Sequence, residues 1–143
     1  MKASHRGAGL LLGLFSALSL PLLGASPASA STPTWNLEAE GQQICTQGTW
    51  FTYAFAPVSG TWSTPIKTGI RDLPPGSYMT DSDTIPPGTN ERDPEDGALT
   101  VNGWLFVQLN PAPVGEYTAE IYATDGKSTQ TDTIKITYKD RCY

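Results

Sequence analysis

The chain has 143 residues, with 14 acidic against nine basic side chains, a formal charge of −5 and a single histidine, His5. That balance disfavours nucleic acid and anionic membrane surfaces as partners, because both need a basic patch and none is visible. With histidine confined to position 5, the body of the chain cannot assemble a Ser-His-Asp triad or a histidine-based zinc or copper site.

Residues 1–30 read as a signal peptide. Lys2, His5 and Arg6 make a positive start, and an apolar run from Leu10 to Gly24 is interrupted only by small residues and Pro21. Ala28-Ser29-Ala30 then matches the small-residue pattern that precedes a cleavage point. The run is shorter than the roughly 20 residues of a spanning helix, and the cleavage pattern follows it at once. Cleavage after Ala30 would release residues 31–143, a single domain of 113 residues with no membrane attachment, secreted and extracellular. Losing Lys2 and Arg6 would leave seven basic against 14 acidic residues, a charge of −7.

Cys45 and Cys142 are the two cysteines, and in an oxidising compartment an isolated pair reads as one disulfide. It would close a loop of 97 residue steps. Loop entropy alone would then contribute roughly 4–5 kcal/mol. Two thiolates without a histidine do not make a tetrahedral zinc shell.

Beyond residue 30, prolines and glycines recur every few residues between segments rich in Thr, Val, Ile, Tyr and Trp, the signature of short strands. Trp35 to Glu40 and Ile44 to Gln47 are short candidates. Along Trp50 to Ala56, Phe51, Tyr53 and Phe55 share a face opposite Trp50, Thr52 and Ala54. Thr61 to Ile70 is a further candidate, broken by Pro65, and a long loop is expected over Leu73–Thr100. Val101, Gly103, Leu105, Val107 and Leu109 then fall on one face of a strand, with Asn102, Trp104, Phe106 and Gln108 on the other. The C-terminal hairpin is the clearest element. Tyr117, Ala119, Ile121 and Ala123 alternate with Thr118, Glu120 and Tyr122, Asp125-Gly126 suits a type I′ turn, and Ile134, Ile136 and Tyr138 share a face of the return strand. Six to eight strands, with no helix to cover a parallel sheet, give an expected all-β fold of two packed antiparallel sheets.

Pro113-Val114-Gly115-Glu116-Tyr117-Thr118-Ala119 resembles the corner before the penultimate strand of immunoglobulin-like domains. That resemblance implies an immunoglobulin-like two-sheet antiparallel sandwich of about seven strands, with a tyrosine hydroxyl tied back to the preceding loop, and it allows Trp62 as the core tryptophan of the third strand. The sequence departs from antibody-type domains in carrying Ala119 where an inter-sheet cysteine would sit. Across most of residues 31–143 the chain also resembles a family of small secreted proteins of high-GC Gram-positive bacteria, known only as a domain of unknown function. Gly41-Gln42-Gln43-Ile44-Cys45, Gly60-Thr61-Trp62-Ser63-Thr64-Pro65, Leu73-Pro74-Pro75-Gly76 and Gly115-Glu116-Tyr117-Thr118-Ala119 carry that likeness. It implies secretion and a β fold, and brings no activity with it.

Three features remain as candidate sites. Asp81, Asp83, Glu91, Asp93, Glu95 and Asp96 stand against Arg92 alone; a solvated acidic loop with no metal is the expected reading, with Asp81, Asp83, Asp93 and Asp96 as weak calcium candidates beside it. The Pro86-Pro87 pair breaks EF-hand spacing, and a glycosidase carboxylate pair has little polar support around it. Trp104, Phe106 and Tyr122 sit opposite the core positions of their strands, where flat aromatic faces suit sugar rings or a protein partner unless the sheets bury both faces. Asp72 to Met79 is proline-stiffened like an inhibitor's reactive loop, though both cysteines are far from it in sequence. The expectation is a monomeric, secreted, non-catalytic binding module without a cofactor, its ligand a carbohydrate or an extracellular protein. The alternative is a secreted inhibitor of an extracellular hydrolase.

Overall fold

Residues of period-two alternation form every long element of the computed structural model, which describes residues 32–142. The signal peptide expected over 1–30 lies outside the described residues. In chain order the strands are β1 Trp35–Leu37, β2 Gln43–Thr46, β3 Trp50–Trp62, β4 Ile66–Arg71, β5 Tyr78–Ser82, β6 Thr84–Ile85, β7 Gly88–Asn90, β8 Asn102–Leu109, β9 Gly115–Thr124 and β10 Thr129–Tyr138. There is no helix among the described residues.

One sheet runs β1-β3-β8-β5, with β7 also paired to β3; the other runs β2-β10-β9-β4-β6. This is the strand arrangement of an immunoglobulin-like sandwich, its first strand divided into β1 on one sheet and β2 on the other. That division, together with the short β6 and β7, raises the expected seven strands to ten. The pairing is antiparallel except at one edge, where β2 lies parallel to β10 with Ile44 beside Ile136 and Cys45 beside Thr137. The Cys45–Cys142 disulfide fastens that parallel edge, with the two Cα atoms 5.7 Å apart.

The core lies between the sheets. Leu105, Val107 and Leu109 of β8 meet Ala119, Ile121 and Ala123 of β9, Ile134 and Ile136 of β10, and Ala54, Ala56 and Val58 of β3. Trp35 is buried at the start of β1, and its Nε1–H donates to Asp125 at 3.1 Å. β1 reaches the second sheet through side chains. Gln130 accepts from Leu37 N and donates to Trp35 O, and Asp132 accepts from Ala39 N. The sheets also meet where Gly103 faces Thr68. A Cβ at position 103 would stand 2.8 Å from the Thr68 side chain, so only glycine leaves room.

Three local expectations are corrected. Trp62 ends the second framework strand, β3, rather than lying on the third; it is buried, and its Nε1–H donates to Pro86 O at 2.8 Å. Four residues, Asp125 to Ser128, join β9 to β10, and of these only Gly126 has positive φ, so the turn is not type I′. The Asp125 carboxylate caps this loop instead, accepting from Lys127 N and Ser128 N at 2.9 and 2.8 Å. The Leu73–Thr100 segment is not one loop, since it contains β5, β6 and β7. The tyrosine corner is present, with the Tyr117 hydroxyl donating to Pro113 O at 3.0 Å.

Candidate functional site

Along the stretch where they pair, β3 and β8 place small and aliphatic residues inward, which turns five aromatic residues to the outer face of the first sheet. Inward lie Ala54, Ala56, Val58, Leu105 and Val107, all buried. Outward lie Phe51, Tyr53 and Phe55 on β3, and Trp104 and Phe106 on β8. The register sets Tyr53 opposite Phe106 and Phe55 opposite Trp104, with Phe51 diagonal to Phe106. Cross-strand neighbours lie within reach of one another on such a face.

The rings form one contiguous patch. Trp104 packs edge-on against Phe55 at 4.7 Å between centroids and tilts against Tyr53 at 5.0 Å. Phe51, Phe106 and Trp104 lie nearly parallel in sequence across the strands, at 6.2 and 6.3 Å. Phe51, Tyr53 and Trp104 remain 57%, 48% and 40% exposed, while Phe55 and Phe106 are half-buried beneath and between them. The Leu73–Thr100 segment therefore does not cover the face. Its strand β5 borders it instead, with Asp81 beside Phe106 and exposed Tyr78 beside Gln108, so the rim offers hydrogen-bonding groups.

Asp83 holds the platform in place from the side. Its N–H donates to Trp104 O at 3.0 Å and its carboxylate accepts from Trp104 N at 2.9 Å. Its own carbonyl accepts from the Thr68 hydroxyl at 2.7 Å, which ties the β8 edge to the second sheet. The main chain under Trp104 is thus clamped from both sheets.

Of the three aromatic residues singled out from the sequence, Trp104 and Phe106 come together. Tyr122 does not join them, because β9 belongs to the other sheet, where its ring covers Gly69 and lies 5.6 Å from the Arg71 guanidinium. Phe51, Tyr53 and Phe55, which complete the patch, were visible in the sequence as a shared face but not as an outward one; the structure turns Ala54, Ala56 and Val58 into the core on the opposite side.

The calcium candidates are not brought together. No three metal-ligating side chains converge among the described residues. Their carboxylates take up main-chain amides instead: Asp83 reaches across to Trp104 N on β8, whereas Asp81 accepts from Ser82 N, Asp93 from Glu95 N and Asp96 from Ala98 N, each within two residues. Short-range bonds of this kind are what Asp does in tight turns. The Arg92 guanidinium draws the same segment back to Glu38 at 2.5 Å. Glu38 is held below the usual carboxylate range, chiefly by the Ser59 hydroxyl and then by Arg92, against an opposing effect of burial.

The proline-stiffened stretch is anchored at both ends. Pro74 is buried, Ser77 N donates to Pro74 O at 2.9 Å, and Met79 lies in β5, half-buried against the core.

In fold, a chimeric titin Z1Z2 functionalised with a KLER exogenous peptide from decorin is similar to this chain at 13% identity, covering 76% of this chain and 97% of that one, with a TM-score of 0.36. No curated protein matches the sequence. A family of unknown function, DUF5980, matches residues 36–140. A match across that span includes both sheets and the whole aromatic face, and the chain belongs to this family of unknown function, DUF5980.

Proposed function

We propose that the chain is a secreted, non-catalytic binding module that takes its ligand on the aromatic face of β3 and β8. The observation that carries this reading is the contiguous patch of Phe51, Tyr53, Phe55, Trp104 and Phe106 on an open sheet face. Soluble domains rarely expose contiguous apolar patches of this kind without a use for them. A carbohydrate chain is the favoured ligand, because sugar rings present C–H faces that lie flat on aromatic rings while rim groups such as Asp81 and Gln108 can meet hydroxyls. A cell-surface protein is the second reading, supported by the same patch, since aromatic residues are enriched where proteins meet.

Secretion rests on the leader pattern of residues 1–30, together with a disulfide of the type that persists outside the cytoplasm. A bacterial, high-GC Gram-positive origin rests on the resemblance in sequence alone. The inhibitor alternative has less support, because Met79 and Pro74 are packed against the domain rather than presented on a projecting loop.

Retention on insoluble glucan, chitin and peptidoglycan tests the carbohydrate reading. Binding to at least one of them, weakened by Trp104→Ala, is the expected result. Failure of the wild-type protein to bind any of them would remove carbohydrate and leave the protein-partner reading.

A further inference from the structure

The edge of β3 beside the aromatic face is filled for only part of its length. β1 pairs with β3 from Trp35–Gly60 to Leu37–Val58, and Glu38 N continues the line by donating to Pro57 O at 2.8 Å. At Phe55 a side chain replaces the strand: Gln42 donates to Phe55 O and accepts from Phe55 N, at 2.7 and 2.9 Å. An antiparallel ladder turns alternate residues toward the same edge, so the N–H and C=O of Tyr53 and Phe51 point where those of Phe55 point. No described residue bonds to them there, because β2 has crossed to β10. A groove of about 430 Å³ runs along this open stretch, lined by Gln42, Ile44, Cys45, Trp50, Thr52 and Tyr53, among others.

The open edge also lacks the usual protection. Sheet edges are commonly guarded by charged side chains, prolines or bulges. Here no charged residue occurs from Gly41 to Ile66, in a chain whose formal charge is −5. Trp50 to Ala56 contains no proline, and its register with β8 runs without a shift.

We propose that a second copy of this chain fills the edge, β3 pairing antiparallel with β3 about a two-fold axis at Thr52. That register sets Phe51 of one copy opposite Tyr53 of the other, twice, and each opposition exchanges both main-chain N–H···O=C bonds. Pairing stops where Gln42 already occupies Phe55 in each copy. The inward-pointing residues near the axis are small: Thr52 lines the groove and Ala54 is buried in the core. The outward-pointing Phe51 and Tyr53 bring the two aromatic faces into one continuous surface. An edge that meets its own copy is used up on both sides, so the assembly closes at two instead of growing into a fibre. A foreign strand would need the same uncharged, alternating character that β3 itself supplies. The dimer replaces the monomer expected from sequence, and it does not depend on what the aromatic face binds.

Light scattering over a concentration series, on protein purified from culture medium, tests the pairing. The wild type is expected at twice the monomer mass when concentrated, falling to the monomer mass on dilution. Thr52→Glu and Thr52→Lys each place like charges face to face at the axis, and each is expected to remain monomeric with an intact near-ultraviolet dichroism spectrum. Mixing the two variants puts opposite charges at the axis and should restore the dimer mass. A wild-type protein that is monomeric at every concentration overturns the proposal. So does a dimer that Thr52→Glu leaves unchanged, which would put the contact elsewhere. Mass reports the pairing and retention on polysaccharide reports the ligand, so failure of one is distinct from failure of the other.

Discussion

Gln42 and Phe55 are joined by two hydrogen bonds across the sandwich edge, so that a side-chain amide does there what a neighbouring strand would do. The same amide donates to Ala39 O at 3.1 Å, which fixes the chain as it crosses from the first sheet to the second. Gln42→Ala would leave both main-chain groups of Phe55 without a partner. The expected cost is about 1–3 kcal/mol, read as a melting midpoint lower by several degrees. An unchanged midpoint would show that the amide is not part of the edge.

Asp125 makes stability depend on pH in a definite direction. The Ser128 N–H, the Trp35 Nε1–H and the Lys127 N–H hold its carboxyl below the ordinary range. A carboxyl lowered by folding stabilises above its unfolded pKa of about 4, and the contribution disappears as pH falls through the lower folded value. Glu38, lowered by the Ser59 hydroxyl and by Arg92, acts in the same direction. Asp125→Asn is expected to cost about 1 kcal/mol at neutral pH. The gap between the two proteins should narrow as pH falls below about 4. A gap that widens on acidification would contradict the assigned sign.

The disulfide holds the parallel β2–β10 edge, where β2 pairs over only four residues. Replacing both Cys45 and Cys142 by serine is expected to cost about 2–5 kcal/mol, measured as a lower urea midpoint. An unchanged midpoint would mean that β2 stays docked through Ile44 and its main-chain bonds alone.

Gly103 and Thr68 test the packing between sheets. Thr68 cannot swing away from a new Cβ without losing its bond to Asp83 O. Gly103→Ala is therefore expected to cost about 1–3 kcal/mol. Adding Thr68→Ala should cost less than the two changes measured separately, since the second relieves the clash made by the first. Strict additivity would place the strain elsewhere.

Much of the fold was legible because alternation is strong where one face is buried. Leu105, Val107 and Leu109 on β8, and Ile134, Ile136 and Tyr138 on β10, all point inward as their spacing requires. Alternation on β3 was equally clear but did not say which face turns in. Large rings opposite alanines suggest a core face by size, yet the core between the sheets is filled largely by the aliphatic residues of β8, β9 and β10, and β3 contributes Ala54, Ala56, Val58 and, at its far end, Trp62 there. The split of the first strand was not legible either, since Gln42, Gln130 and Asp132 supply bonds that no propensity scale records. In the acidic stretch, composition favoured a solvated loop and left calcium as a weak candidate, but it could not show that the Asp81, Asp93 and Asp96 carboxylates are taken up by amides one or two residues away.

The central claim is that the β3–β8 face, and not the β4–β9 face around Tyr122, binds the ligand. Affinity for the polysaccharide that retains the protein, measured by depletion for wild type, Trp104→Ala and Tyr122→Ala, tests it directly. Truncating a central aromatic anchor costs about 2 kcal/mol, so Trp104→Ala should bind roughly thirtyfold more weakly while Tyr122→Ala binds as the wild type does. Equal weakening by both substitutions, or by neither, would contradict the claim.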